Sequence, residues 1–369
     1  MEQQVYKKHA LDMIYLVNCA LSGTVPAAER LREMELPAVF GVCQKHILTA
    51  CAAYALESAG VRDPAFTEAK EKAIRKNILL DAERKKVLAR LEQAGIWYLP
   101  LKGAILKDWY PRLGMRQMSD NDILYDASRR EDVRQIMADL GFTFDPLDRG
   151  VDDSYYKAPV SHIEMHTALF GSYSFSRLHA YYADVKARLC KDAEGGYGYH
   201  FRDEDFYLYQ TAHAYKHDAD GGTGVRSLYD TAVLLRKFAD RYDWDYLRAE
   251  LEKLGLTEYE AKNRLLSEKL LSGAELSPEE QERLDFHIFS GAYGTVTHQM
   301  QARIAEKGHG SKWRYLFGRI FPPAEFYSKY YPWAYRHRVL LPAAWVCRGF
   351  RILLIRPRRL ITELRQLRK

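Results

Sequence analysis

Two aspartates one residue apart, Asp120 and Asp122, are the side chains in this sequence whose type and spacing point most directly to chemistry. Asn121 to Tyr125 is short, with aliphatic and aromatic members, and reads as a strand. Alternate side chains of a strand leave opposite faces, so Asp120 and Asp122 share one. Carboxylates held that close repel each other and raise a pKa unless a cation sits between them. Mg2+, or Mn2+ in its place, meets that need and prefers the carboxylate and phosphate oxygens that a nucleoside triphosphate brings. In a two-metal arrangement one ion orients the triphosphate and the other activates an attacking hydroxyl. Glu164, in His162-Ile163-Glu164-Met165-His166, is the candidate third carboxylate. With Ile163 and Met165 turned into the core, His162, Glu164 and His166 share the opposite face.

Spacing alone leaves a second reading open, because an Asp-x-Asp pair also occurs at solvated strand ends and turns. The flanking cations sharpen the first. Lys102 and Arg116 are candidates for neutralising triphosphate charge, since a guanidinium clasps phosphate oxygens in pairs. The alternative for each is a surface cation. Ser119 either caps the strand or touches phosphate.

The elements that must position these residues follow from periodicity. Residues 1–94 read as an N-terminal helical region, broken at Pro26 and Pro37 and ending in a long amphipathic helix from Pro64 to Ala94 that Gly95 terminates. Residues 95–202 read as a small α/β core. It has strands at 96–101, 121–125 and 161–169, a helix from Ala104 to Tyr110 and another from Arg130 to Leu140. Residues 203–310 return to helices, at Glu204–Asp218, Val225–Phe238, Asp243–Leu254, Thr257–Leu271, Pro278–Phe289 and Tyr293–Glu306, and 311–369 form a basic, aromatic-rich tail. The expected class is α+β: a small mixed sheet flanked by helical regions.

Leu101-Lys102-Gly103-Ala-Ile-Leu, Tyr110-Pro111, Arg116, Ser119-Asp120-x-Asp122-Ile-Leu and Ile163-Glu164-Met-His166 together resemble an uncharacterised bacterial nucleotidyltransferase family of the DNA polymerase β-like superfamily. The likeness continues through His213-Ala-Tyr-Lys216-His217, Gly221-Gly222, Arg226-Ser-Leu-Tyr-Asp230, Phe321-Pro322-Pro323 and Leu340-Leu341-Pro342-Ala-Ala-Trp345. The resemblance implies a palm-like sheet in which Asp120, Asp122 and Glu164 hold metal and the Lys102-Gly103 turn lies near the phosphates. Better-known superfamily members carry Gly-Ser or Gly-Gly at that turn, where this chain has Gly103-Ala104, and their spacing from glycine to aspartate is shorter. The expected reaction is attack by an acceptor hydroxyl on a nucleoside triphosphate with loss of pyrophosphate. The acceptor is a small molecule, a sugar, a protein hydroxyl or an RNA end.

His213, Lys216 and His217 share a helix face, which gives Lys216 a reading as a nucleotide contact in a second lobe and another as helix packing. Arg226 and Asp230 stand at ion-pair spacing on the next helix. Two rival functions remain: a non-catalytic nucleotide- or partner-binding protein on the same fold, and a metal phosphohydrolase built on His213, His217, Asp218 and Asp230. Five scattered cysteines without a CxxC pair fit reduced thiols in a cytoplasmic protein. The late apolar stretch from Val339 to Ile355 contains Pro342, Arg348 and Arg351, which argues against a membrane span. From Arg336 onward ten Lys/Arg stand against one acid, so the positive net charge of +6 resides in the tail. That tail is expected to pack on the core, rest on an anionic membrane surface or contact nucleic acid.

Overall fold

The computed structural model describes residues 2–145, 152–172, 175–292, 321, 327 and 331–355. The helices α1 (Glu2–Ser22), α2 (Ala28–Arg32), α3 (Leu36–His46), α4 (Thr49–Ser58) and α5 (Pro64–Gln93) precede the first strand. Local chemistry sets the limits of α5. The Asp63 carboxylate accepts the N–H groups of Ala65 and Phe66 at 2.9 and 3.1 Å, and Pro64 takes the first helical position, where no intrahelical N–H is needed. Gly95, at φ +67°, ends it.

The main sheet comprises β1 (Tyr98–Pro100), β2 (Asn121–Tyr125), β3 (Thr143–Phe144), β4 (Asp152–Lys157) and β5 (Ser161–His166), in spatial order β1-β2-β5-β4-β3. β2 and β5 run parallel and the other neighbours antiparallel, which makes the sheet mixed. β2 matches the expected limits, while β1 and β5 are shorter than expected. The helix expected from Ala104 to Tyr110 is one turn, α6 (Gly103–Leu106), followed by a 3-10 turn at Lys107–Trp109. β4 is an addition. Asp152-Asp-Ser-Tyr-Tyr-Lys is too polar to read as a strand, yet its central residues are buried. The fold satisfies Asp153 with the guanidinium of Arg130, whose Nε donates at 2.8 Å. Arg130 opens α7 (Arg130–Asp139).

One face of the sheet is dry. Ile123, Tyr125, Tyr155, Ile163 and Met165 pack there against Val87 and Leu91 of α5 and Val133, Ile136 and Met137 of α7. The other face carries Asp122 and Glu164 and is roofed by the later helices. After α8 (Ser176–Tyr181) and a hairpin of β6 (Leu189–Lys191) with β7 (Tyr199–Phe201) come α9 (Asp203–Ala219), α10 (Val225–Phe238), α11 (Trp244–Leu254), α12 (Thr257–Ser272) and α13 (Pro278–Ser290). Aromatic residues of α9 (Phe206, Tyr209) and Phe238 of α10 share a core with Leu99, Leu106 and Leu124. A second core joins the two ends of the helical framework: Met13, Val17 and Leu56 of the first helices pack with Leu228, Tyr229, Leu266 and Ile288 of the last. The Tyr229 hydroxyl donates to Asn18 at 2.8 Å across that seam.

Among the described residues no helix is long and apolar enough to cross a membrane. The helix expected at 293–306 lies outside the described residues, as do 356–369 of the basic tail. Within the tail, Leu341–Ile355 is helical, and Trp345 packs edge-on to Phe321 with ring centroids 4.9 Å apart.

Candidate active site

Parallel pairing of β2 with β5 sets Asp122 level with Glu164, and Leu124 level with His166. Ile163 and Met165 are fully buried on the dry face, so alternation turns His162, Glu164 and His166 toward the roof, as expected from the sequence. Asp120 stands one residue before β2, and the Ser119 hydroxyl lies 3.4 Å from its Oδ1. His166 Nε2 is 2.8 Å from Asp122 Oδ1 and 3.6 Å from Glu164 Oε2. His162 sits between the other two carboxylates, with Nδ1 3.9 Å from Asp120 Oδ2 and Nε2 3.9 Å from Glu164 Oε1. Its cross-strand neighbour Tyr156 stacks on the imidazole, centroids 4.4 Å apart and planes 4° from parallel. These atoms form two overlapping groups, Asp120–His162–Glu164 and Asp122–Glu164–His166, each compact enough to share one ion.

Lys102 enters the same group. Its Nζ donates to Asp122 Oδ1 at 2.6 Å, and its backbone sits at φ +50°. A side chain in that region costs roughly 1–3 kcal/mol, so the strain belongs to the placement of this ammonium. Burial and the charge of Asp122 raise Asp120 above the usual carboxylate range. Burial acts likewise on Glu164, which with Asp122 nearby is pushed up to about 8. Burial would raise Asp122 too, yet Lys102 and His166 hold it well below the ordinary value. Lys102 opens the turn into α6, and Gly103 follows it, packed closely under the Met118 side chain. A Cβ there would stand 2.7 Å from Met118 Sδ and 3.3 Å from Arg116 Nη1.

Arg116 lines the cleft, but its fork is committed elsewhere. Nε and Nη2 donate to Asp230 at 2.8 and 3.0 Å, and Nη1 donates to the Gln117 carbonyl at 3.0 Å. Tyr110 adds a hydroxyl donor to Asp230 at 2.8 Å. Asp230 thus pairs with Arg116 across the cleft, where the sequence placed it opposite Arg226. Two of the five N–H donors of Arg116 are spent on Asp230 and a third on the Gln117 carbonyl, which narrows its expected role at phosphate.

The roof comes from α9, α10 and the glycine turn between them. The resulting cleft, of about 330 Å3, is lined by Lys102, Asp120, Asp122 and Glu164 on the sheet side and by Gln210, His213, His217, Thr223, Arg226 and Ser227 on the helix side. A volume of that size lies within the range of small-molecule sites. His213 and His217 place their Nε2 atoms 3.0 Å apart, which requires one to donate and the other to accept. Burial keeps both neutral, pushing His213 well below its ordinary value and His217 down to about 3. Lys216, expected at the nucleotide, is not among the residues that line the cleft. Burial and the nearby Lys102 charge lower its pKa.

The residues of the phosphohydrolase reading do not converge. Asp218 accepts from Tyr259 at 2.6 Å and from Thr223 at 3.3 Å, and Asp230 is held by Arg116 and Tyr110. Among the described residues, the groups of three or more side chains able to share an ion are both on the sheet. On the sheet side, His162 and His166 are the site residues to which the sequence assigned no role, although their alternation with Glu164 already placed them beside it; Gln210, Thr223 and Ser227 on the helix side carried no signal in the sequence.

A family model described as uncharacterised nucleotidyltransferase matches residues 33–272, a span that holds every residue of the cleft except Ala292. No curated protein and no solved structure matches the chain.

Proposed function

The chain belongs to this uncharacterised nucleotidyltransferase family, and from that premise we propose that it moves a nucleoside monophosphate from a nucleoside triphosphate to an acceptor hydroxyl, releasing pyrophosphate. The observation that carries the reading is the level pairing of Asp122 with Glu164 on adjacent parallel strands, with Asp120 beside them in one cleft. In finer terms we place the chain with the DNA polymerase β-like enzymes, which use sheet carboxylates in this way.

The donor set fits a divalent cation. Three carboxylates and two imidazoles lie together, and His162 Nε2 is buried without a hydrogen-bond partner among the described residues. Asp120, Asp122 and Glu164, with the histidines, would hold Mg2+ or Mn2+. Such an ion supplies a lowered pKa for the acceptor hydroxyl and neutralises triphosphate charge. The protein's own groups do the rest. Lys102 and Arg226 face the space that the phosphates require, and the polar side chains of Thr223 and Ser227 line it beside them. We assign Arg116 to support this wall through Asp230. Glu164 is the base for the acceptor hydroxyl, because it stands level with Asp122 at the ion that would lower that hydroxyl's pKa.

The Lys102–Asp122 contact favours a second reading, a protein that binds nucleotide without turning it over. One experiment separates the two. Purified protein is incubated with Mg2+ or Mn2+, labelled nucleoside triphosphates and a panel of sugars, small polyols, proteins and RNA. Pyrophosphate release with label on one acceptor is the expected result, and nucleotide binding without pyrophosphate supports the second reading. Asp122→Asn removes a charge with almost no change of volume. It is expected to lower transfer by more than the roughly 10–100-fold that losing an outer partner of a metal ligand costs, while circular dichroism shows an intact fold. Undiminished transfer in that variant refutes the site.

A further inference from the structure

The two overlapping groups of ligand atoms are not equivalent. On Asp122 a cation is already in place, since Lys102 Nζ and His166 Nε2 share Oδ1 at 2.6 and 2.8 Å. The lysine reaches it from a left-handed backbone position, followed by a glycine packed closely against Met118. Asp120, His162 and Glu164 differ. The gaps from His162 to the two carboxylates are both 3.9 Å, too long for hydrogen bonds. Two ligands that each lie about 2.1 Å from one ion stand at most about 4.2 Å apart, so the gap from Nε2 to Glu164 matches a shared cation, and one ligand atom each of Asp120, His162 and Glu164 lie within 4.8 Å of one another. The buried, unbonded Nε2 of His162 and the Tyr156 ring stacked on the imidazole point the same way: the ring is held, and one nitrogen waits for a partner.

We propose that this protein binds a single divalent ion through Asp120, His162 and Glu164, and that the Lys102 ammonium stands on Asp122 where a second ion would otherwise bind. The inference deepens the transferase reading: it rests on that reading's assignment of Asp120 and Glu164 to metal and takes Asp122, with His166, out of the ligand set. A dication entering beside this partly buried ammonium meets like charge that water screens only in part, so the second place stays closed while Lys102 is there. The ligand set also selects among ions. Imidazole is a poor ligand for Mg2+ and a good one for first-row transition ions, so His162 shifts the preference to Mn2+ or Co2+.

Titration of the full-length protein with Mn2+, in the absence of nucleotide and followed by the electron paramagnetic resonance of the free ion, reads stoichiometry and affinity without any turnover. Wild type is expected to bind one Mn2+, with Mg2+ competing at least about tenfold less well. Lys102→Met is expected to bind two, and Lys102→Arg one. His162→Gln is expected to weaken Mn2+ binding by roughly 10–100-fold and to narrow the gap to Mg2+. Two ions on wild type, one on a folded Lys102→Met protein, or unchanged affinity in His162→Gln each overturn the inference and leave the transferase reading standing. If Lys102→Met does not fold, the wild-type stoichiometry and the His162→Gln affinity still decide. Wild type and Lys102→Met both failing to bind Mn2+ overturns the inference together with the metal assignment beneath it.

Discussion

Asp230 receives three donors, two from Arg116 and one from Tyr110, and both members of the ion pair are almost wholly buried. A buried pair gains little over apolar packing, but breaking it leaves one charge without compensation. Asp230→Asn should therefore destabilise the protein by about 3–5 kcal/mol in urea denaturation. Replacing both partners by apolar residues, Arg116→Met with Asp230→Leu, should recover most of the loss. If the single variant unfolds at the wild-type midpoint, the pair has no structural weight and Arg116 returns as a direct phosphate contact. The same comparison applied to binding separates the roles, since a supporting arginine changes nucleotide affinity only through the shape of the wall.

Two elements meet tightly where the glycine turn before α10 crosses the end of α13. Gly222 sits at φ +104°, and a Cβ there would lie 2.4 Å from Ser290 Cβ and 2.5 Å from its hydroxyl oxygen. Neither the backbone conformation nor the space admits a side chain. Gly222→Ala is expected to cost about 1–3 kcal/mol by thermal or chemical denaturation. Because Thr223, Arg226 and Ser227 ride on this turn, it should also weaken nucleotide binding. Ser290→Gly in the same chain removes the collision but not the strain, so it should restore only part of the loss. Full restoration would show that space alone sets the requirement for glycine.

Across the whole molecule, the first and last helices are locked together around a histidine. His46, at the end of α3, is completely buried, and its Nδ1 accepts the Val225 N–H at 3.3 Å. Burial lowers its pKa from 6.5 to about 4. The unfolded chain takes up a proton near the ordinary value and the folded chain does not until about 4, so between those limits the unfolded state binds more protons. Stability should fall there by roughly 1.4 kcal/mol per pH unit for this one group, with no contribution above 6.5 and no further loss below 4. Burial depresses His287 as well, which adds in the same direction. Urea denaturation at pH 7, 5.5 and 4.5 should show a shallower acid decline for His46→Gln than for wild type. Parallel declines would remove His46 from the acid response.

What the sequence determined alone is whatever depends on near neighbours along the chain. Alternation put Asp122 on one face of β2, with Asp120 just ahead of the strand, and His162, Glu164 and His166 on one face of β5, because the two-residue repeat of a strand is a local property. Asp63, Pro64 and Gly95 bounded α5 for the same reason. The tertiary structure decided the rest. It set Asp122 level with Glu164, brought the Lys102 ammonium onto Asp122, and paired Arg116 with Asp230, 114 residues away. It also buried the polar strand β4 by supplying Arg130 to Asp153, a compensation invisible from either segment. A charged side chain takes the partner that burial leaves within reach, and reach across a folded core has no signature in the spacing of residues.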